Sequence, residues 1–220
     1  ENIINDRINI LTNYQNKEYA KKYKDIVDKV ISVEKNIGDE NQEFSKSVAK
    51  YLFKLMAYKD EYEVARLYSD GQFKEKLNSA FDGNLKIKFH LAPPLLSPRD
   101  INTGKPRKIT LGSWMLPVFS IISKFKFLRG SIIDPFGKTK ERKMERYLIK
   151  QYINDLDKIL DKVNKHNLSL AIQITSIPEM IRGFGHVKED NINNAQQNRE
   201  ELLERWNSKE KINIESVAAE

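Results

Sequence analysis

The sequence predicts a mainly α-helical (α+β) domain with one small β element around residues 85–91. Apolar side chains recur at helical spacing along most of the 220 residues, which predicts amphipathic helices. Only one stretch alternates apolar and polar residues with a period of two, as a half-buried strand requires. The chain is also long enough to bury a sizeable core.

The first 40 residues are expected to form an N-terminal helix that leads in from an upstream domain. Their apolar residues recur at helical spacing from Ile8 to Val33, and Gly38 offers a left-handed stop. The chain begins with Glu1 and not with Met, so we expect a piece cut from a longer protein.

A helical domain is predicted for residues 41–206. Its first pattern begins at Phe44 and continues through Ala65, and a short helix follows between Gly71 and Gly83. Both glycines are typical of positions where a helix begins or ends.

The predicted strand follows directly. Its apolar and polar residues alternate in the order Leu85, Lys86, Ile87, Lys88, Phe89, His90 and Leu91. Pro93 and Pro94 then stop any regular ladder, so we expect an ordered loop through Pro106.

Further helices are predicted in the second half of the chain. One covers Trp114 to Leu128, with Trp114 and Phe125 on its buried stripe and Gly130 as its C-cap. Thr139 is expected to cap the longest helix. Its buried stripe comprises Met144, Leu148, Tyr152, Leu156, Ile159 and Val163. The residues 168–177 favour a helix over a buried strand, 188–206 are compatible with a polar helix, and 207–220 are expected to form a flexible tail.

The composition excludes several kinds of chemistry. The chain has no cysteine, which excludes disulfides, thiolate-bound iron–sulfur clusters, cysteine zinc sites and a catalytic thiol. His90, His166 and His186 have no metal-ligand spacing, and no phosphate loop, dinucleotide fingerprint or nucleophile elbow is present. We therefore predict no catalytic residue, no metal site and no cofactor in this chain. No apolar run approaches the ~18 residues of a membrane span, so we expect a cytoplasmic protein without a membrane partner.

The positive charge of the chain is regional. Residues 99–150 contain 13 basic and 4 acidic residues, whereas the net charge of the whole chain is only +7. This region predicts a basic docking face for an acidic surface, with candidate residues Lys138, Lys140, Arg142 and Lys143. A nucleic-acid-binding module is the alternative, because aromatic residues are interleaved with the basic ones. We assign Trp114 and Phe125 to the core, so nucleic acid is not the expected partner.

Five further residues are candidates for contact with a ligand or another chain. Each places a cation or an imidazole beside prolines or glycines: His90, Arg99, Arg129, Arg182 and His186. They could recognise a substrate carboxylate or a phosphate at a domain boundary. The other interpretation is structural, since prolines also direct a chain over its core, and glycines with a trailing basic residue also end helices.

Several strings of residues together carry a resemblance to a known family. They are Lys54–Tyr68, Phe89–Leu96, Arg129-Gly130, Asp134–Gly137, Glu145-Arg146 and Ile181–Glu189. In this order, from about Tyr14 to Trp206, they resemble the C-terminal region of the fused bacterial indolepyruvate:ferredoxin oxidoreductases.

The resemblance implies a parent enzyme that converts aryl pyruvates oxidatively to acyl-CoA. Thiamine diphosphate, magnesium and iron–sulfur clusters would be bound by upstream domains of that enzyme. The resemblance assigns no family catalytic residue to a position in this chain. The expected partners are the upstream catalytic domains and, as a further candidate, ferredoxin.

Overall fold

The computed structural model describes residues 2–83, 85–91 and 107–217. These residues form nine α-helices and one two-stranded sheet, which confirms the mainly α fold with a small β element. The helices are α1 Asn2–Tyr14, α2 Lys17–Ile37, α3 Glu43–Met56, α4 Glu61–Ser69, α5 Gln72–Ala80, α6 Met115–Lys124, α7 Lys140–Leu160, α8 Leu168–Ser176 and α9 His186–Val217. The strands are β1 Lys88–Leu91 and β2 Ile109–Gly112, and short 3₁₀ helices cover Lys126–Leu128 and Ile177–Met180. None of the helices in these ranges is both long enough and apolar enough to span a bilayer.

The chain divides into two compact units, each built from discontinuous segments. The first unit contains Glu1–Ile10, Glu18–Met56 and Leu148–Glu220, and the second contains Leu11–Lys17 and Ala57–Tyr147. The boundaries predicted at residues 40 and 206 follow the order of the chain, whereas the units depend on packing between distant segments. Those boundaries stay a prediction.

The predicted single helix at the N-terminus is two helices, because α1 ends at Tyr14 and α2 begins at Lys17. Asn16 takes the position before α2, where asparagine is among the preferred residues. Gly38 follows the last residue of α2 with φ of +76°, which confirms the predicted stop.

The pattern from Phe44 to Ala65 is also divided into two helices, α3 and α4. Asp60 precedes the second of them and caps it, because its side chain accepts a hydrogen bond from the backbone N–H of Glu63. Helical spacing continued through the break, so the pattern alone did not reveal it.

The core of the first unit forms where α3 packs on α8. Its buried apolar residues include Tyr23, Val27, Val30, Phe44, Val48, Leu52, Met56, Leu156, Ile159, Leu170, Ile174, Leu202 and Trp206. Buried hydroxyls bond within it: Tyr23 donates to the carbonyl of Ala49, and Tyr152 donates to the carbonyl of Thr175. Burial raises the pKa of Tyr152 well above its ordinary value.

An aromatic cluster forms the core of the second unit. Phe119 of α6 stacks on Tyr68 of α4 with ring centres 5.3 Å apart, and Phe89 of β1 meets both rings edge-on. The antiparallel strands pair Phe89 with Leu111 and His90 with Thr110. The observed strand β1 is shorter than the predicted strand of residues 85–91. The second strand, β2, was not predicted, because four residues are too few to show a clear alternation of apolar and polar residues.

The later helices agree with the sequence in most respects. The Thr139 hydroxyl accepts a hydrogen bond from the backbone N–H of Arg142, which confirms the predicted cap of α7. The prediction that Met144 is buried is wrong, since 36% of it is exposed. α8 confirms the helix predicted for 168–177. The predicted tail is helical up to Val217, because no glycine or proline in this stretch ends α9.

Candidate functional site

Arg129 is a buried cation of the second unit, with only 3% of its side chain exposed. Its guanidinium forms a fork with Asp60, in which Nη2 donates to Oδ1 at 2.8 Å and Nε donates to Oδ2. Nη1 donates to the carbonyl of Tyr14, whose ring centre lies 3.6 Å from the guanidinium carbon. Burial opposes the charge most strongly, but the hydrogen bonds to Asp60 and the electrostatic interactions with Tyr14, Asp60 and Tyr58 together outweigh burial and raise the pKa of Arg129. Asp60 and Tyr14 enclose the guanidinium, which agrees with the structural interpretation of Arg129 and not with contact to a ligand.

The carboxylate of Asp60 serves two structural purposes at once. Its Oδ1 accepts from the backbone N–H of Glu63 at 2.9 Å, which caps α4, while both oxygens pair with Arg129. Tyr58 lies beside this pair and is 7% exposed. Burial, and then the negative charge of Asp60, raise the pKa of Tyr58 to about 12.

Asp134 is a second buried carboxylate, and it organises the predicted turn at residues 134–137. It accepts hydrogen bonds from the Tyr62 hydroxyl at 3.0 Å and from the backbone N–H groups of Gly130, Phe136 and Gly137. A Cβ atom on Gly137 would overlap the Asp134 carboxylate. The turn therefore requires glycine at position 137, because any side chain there would displace the Asp134 carboxylate.

Arg146 lies on the other side of this turn. Its Nη2 donates to the carbonyl of Gly137 at 2.6 Å, while Nη1 is buried without a hydrogen-bond partner. Glu145, the residue before Arg146, forms an ion pair with Arg142, with 2.6 Å between Oε2 and Nη1. Together with Asp60 and Asp134, we call these groups the polar cluster of the second unit.

The predicted basic docking face needs one correction. Lys138, Lys140 and Lys143 are exposed, but the side chain of Arg142 is only 11% exposed. Arg142 bridges Glu61 and Glu145, so its charge is neutralised inside the unit. The sequence places Arg142 among exposed lysines at the start of α7. Only the tertiary structure shows that its side chain is buried.

The described residues among the other predicted contacts, His90, Arg182 and His186, are not members of this cluster. His90 is exposed on β1, where its Nδ1 lies 3.0 Å from the hydroxyl of Thr110. Arg182 is exposed in the first unit and pairs with Glu179. His186 is the exposed first residue of α9. Arg99 lies outside the residues that the structure describes.

One face of α6 exposes apolar side chains to solvent. Trp114, Ile121 and Phe125 recur at intervals of seven and four residues and are 61%, 58% and 46% exposed. We call these three residues, with the intervening Lys124, the α6 face. Phe127 follows at 60% exposure, with its ring centre 6.1 Å from that of Phe125.

The prediction that Trp114 and Phe125 belong to the core is wrong. α6 is apolar on nearly all sides, and its opposite face, with Met115 and Phe119, packs into the aromatic cluster. A helix of this kind has two apolar faces, and spacing does not tell which one is buried.

Two more exposed apolar residues follow the α6 face in the chain. Ile132 and Ile133 are 92% and 70% exposed and lie in the turns after Gly130. A usable signal was present in the sequence, because two isoleucines between Gly130 and Asp134 cannot belong to a helical stripe. Contiguous exposed apolar surface on a soluble protein commonly marks an interaction site.

The first unit contains a small cavity between α7, α8 and α9. Its volume is ≈ 30 Å³, and its polar lining includes the Asp155–Arg199 ion pair and the paired amides of Gln151 and Gln196. A space of this size holds about one water molecule, so it cannot accept an organic substrate. Within the described ranges, no group of three or more His, Cys, Asp or Glu residues could hold a metal ion.

Comparison with known proteins places the chain in a family. No curated protein and no solved structure matches the sequence. The sequence profile of one family matches residues 1–201, which is most of the chain. The chain therefore belongs to DUF6537, a family of unknown function.

Proposed function

We propose that this chain is an accessory domain of an indolepyruvate:ferredoxin oxidoreductase. It supports the thiamine-dependent oxidative decarboxylation of 2-oxo acids to acyl-CoA by packing against the catalytic domains or by docking a partner. The observation that carries the proposal is the α6 face, an exposed apolar surface within the basic region of residues 99–150. Its chemistry suits contact with another protein.

The residues that carry the resemblance support this proposal through their positions. Asp60 and Tyr62 of the string Lys54–Tyr68, together with Arg129, Asp134 and Arg146, belong to the polar cluster of the second unit. These side chains hold one another and leave no free nucleophile or base. Residues that carry the resemblance thus maintain the fold of the second unit, as expected for an accessory domain.

The cofactors implied by the resemblance do not fit the residues of this chain. Iron–sulfur clusters require thiolates, and the chain has no cysteine. Magnesium requires a cluster of oxygen ligands, and no carboxylate cluster suited to a metal exists in the part of the chain that the structure describes.

The α6 face has the composition of a protein interface. Aromatic residues such as Trp114 and Phe125 are enriched at the centres of interfaces, and charged residues lie at the rims. The lysines Lys138, Lys140 and Lys143 belong to the same unit and give it an exposed positive charge. Positive charge at an interface steers an acidic partner and increases the association rate. The expected partner is a sister catalytic domain or an acidic ferredoxin.

The test compares three variants of the full-length enzyme. In the first, Lys138, Lys140 and Lys143 become glutamine, and Arg142 stays unchanged because it is structural. In the second, Ile121 and Phe127 become serine. The control changes the exposed lysines Lys22, Lys35 and Lys158 of the first unit to glutamine, with the same loss of charge.

The measurement is the rate of ferredoxin reduction with an aryl pyruvate and coenzyme A at low and high salt. We expect the lysine variant to lose several-fold in rate at low salt, with a weaker salt dependence, and the control to behave as the wild type. We expect the serine variant to lose rate at both salt concentrations. Unchanged rates in both variants would contradict docking by the second unit. A full-length protein that does not reduce ferredoxin with an aryl pyruvate would contradict the proposal that the parent is an indolepyruvate:ferredoxin oxidoreductase.

The exposed aromatic residues also favour the alternative function, a nucleic-acid-binding module. Trp114, Phe125 and Phe127 are exposed in a basic region, and such side chains can stack on unpaired bases. Binding of a single-stranded oligonucleotide at two salt concentrations tests this alternative. Neutralisation of phosphates requires affinity to fall steeply as salt rises, and no binding at low salt contradicts it.

A further inference from the structure

A second mixed surface lies on the first unit, at residues 180–187. Three apolar side chains are exposed there: Met180 at 39%, Phe184 at 78% and Val187 at 47%. Single exposed apolar residues are ordinary on a protein surface. Three of them within eight residues, one a nearly fully exposed phenylalanine, need an explanation.

The backbone holds Phe184 outward. Gly183 and Gly185 on either side have φ of +87° and +56°, which favour glycine. A Cβ on Gly183 would lie 2.9 Å from Cγ1 of Val187, so this position also lacks space for a side chain. The amide of Asn191 donates to the carbonyl of Arg182 at 2.9 Å and ties the loop to α9. A side chain presented by a defined backbone loses little entropy when it binds a partner.

Cationic side chains converge beside this loop on a single residue, Glu179. The carboxylate of Glu179 lies 3.3 Å from Arg182 and 3.9 Å from Lys50, and it accepts a hydrogen bond from the Tyr51 hydroxyl. Lys54 donates to the carbonyl of Glu179 at 3.3 Å and to that of Pro178. The Glu179 carboxylate therefore contacts two cations, and a third cation, Lys54, bonds the backbone carbonyl of the same residue.

The crowding of positive charge affects Lys54. Burial, and then the positive charges of Arg182, Lys50 and Lys188, lower the pKa of Lys54 against the opposing effect of Glu179. A negative charge brought to this place from outside would relieve the mutual repulsion of the cations. The surface thus combines an apolar projection with a group of cations, Lys50, Lys54 and Arg182, that lie around one glutamate.

We infer that residues 180–187, with Lys50, Lys54 and Lys188, form a second docking surface that binds an acidic protein surface and inserts Phe184 into an apolar pocket of that partner. This surface belongs to the first unit, whereas the α6 face belongs to the second. Each unit would therefore carry one contact surface. The inference does not depend on the identity of the parent enzyme.

The test places a photoreactive phenylalanine analogue at position 184 of the full-length protein, expressed in its own cells. The matched control places the analogue at Phe81, a phenylalanine of the second unit that is 59% exposed. Cross-linked peptides are identified by mass spectrometry. The experiment is repeated with Lys50 and Arg182 changed to glutamate, and circular dichroism checks that this variant remains folded.

We expect a discrete protein product from position 184, with a cross-linked segment rich in Asp and Glu, and no such product from position 81. The double charge reversal should reduce its yield several-fold, because like charges would then face each other. The inference is overturned by the absence of a discrete product, by a yield that the charge reversal leaves unchanged, or by a basic partner segment. A product that a nuclease removes also overturns it and favours a nucleic acid.

Discussion

Glu34 of α2 caps the first turn of α3 through the backbone N–H of Phe44. Its Oε1 accepts from Phe44 at 2.8 Å, and its Oε2 accepts from the N–H of Ser45 at 3.0 Å. Glu34 is 1% exposed, so a buried carboxylate satisfies two N–H groups that have no partner within the helix. The contact joins two helices of the first unit at their polar ends.

Replacing Glu34 with alanine should destabilise the protein by about 2–3 kcal/mol, because two buried N–H groups lose a charged acceptor. The measurement is urea unfolding followed by circular dichroism. Glu40→Ala changes an exposed glutamate and should stay within about 0.5 kcal/mol of the wild type. Equal stabilities of the two variants would contradict the capping role of Glu34.

Arg129→Lys should lower the free energy of unfolding by about 2–4 kcal/mol, although it keeps the charge. Lysine cannot form the fork with Asp60 or stack on the Tyr14 ring, and the buried Asp60 would be left poorly paired. The same substitution at the exposed Arg182 is the control and should have little effect. A stable Arg129→Lys protein would mean that charge alone is sufficient at this position.

The two tryptophans should differ strongly in their access to solvent. Trp114 on the α6 face is 61% exposed, whereas Trp206 in the core of the first unit is 3% exposed. Acrylamide should therefore quench the fluorescence of Trp206→Phe several-fold more effectively than that of Trp114→Phe. Similar quenching of both variants would mean that the α6 face is covered in solution.

Alkaline pH should weaken the folded state through Tyr58. Its pKa is raised from 10.0 to about 12, mainly by burial, because the folded protein favours the neutral phenol. The stabilisation is complete below pH 10 and is lost as the pH rises toward 12. The shift corresponds to about 2–3 kcal/mol.

Urea unfolding between about pH 9 and 11 measures this effect. The free energy of unfolding should fall more steeply with pH for the wild type than for Tyr58→Phe. Tyr147 is 53% exposed, so Tyr147→Phe should follow the wild type and serves as the control. Parallel curves for all three proteins would contradict the burial of a neutral phenol at position 58.

Local signals in the sequence were sufficient for most helices. Gly38 ends α2, Thr139 caps α7, and the apolar residues after Asn167 form α8, all as predicted. Such features depend on backbone conformation and hydrogen bonds within a few residues, which sequence neighbours determine. Breaks between consecutive helices were harder to predict, because the helical spacing of apolar residues from Phe44 to Ala65 continued across the end of α3.

The sequence by itself determined the helical class, the ends of some helices and the basic region. Only the tertiary structure decided the fate of individual side chains, since burial depends on contacts between distant segments. It enclosed Arg129 and Arg142 among carboxylates and left Trp114 and Phe184 exposed. A cation or an aromatic ring can occupy a core or a surface, and its partners, which are not its sequence neighbours, determine which one.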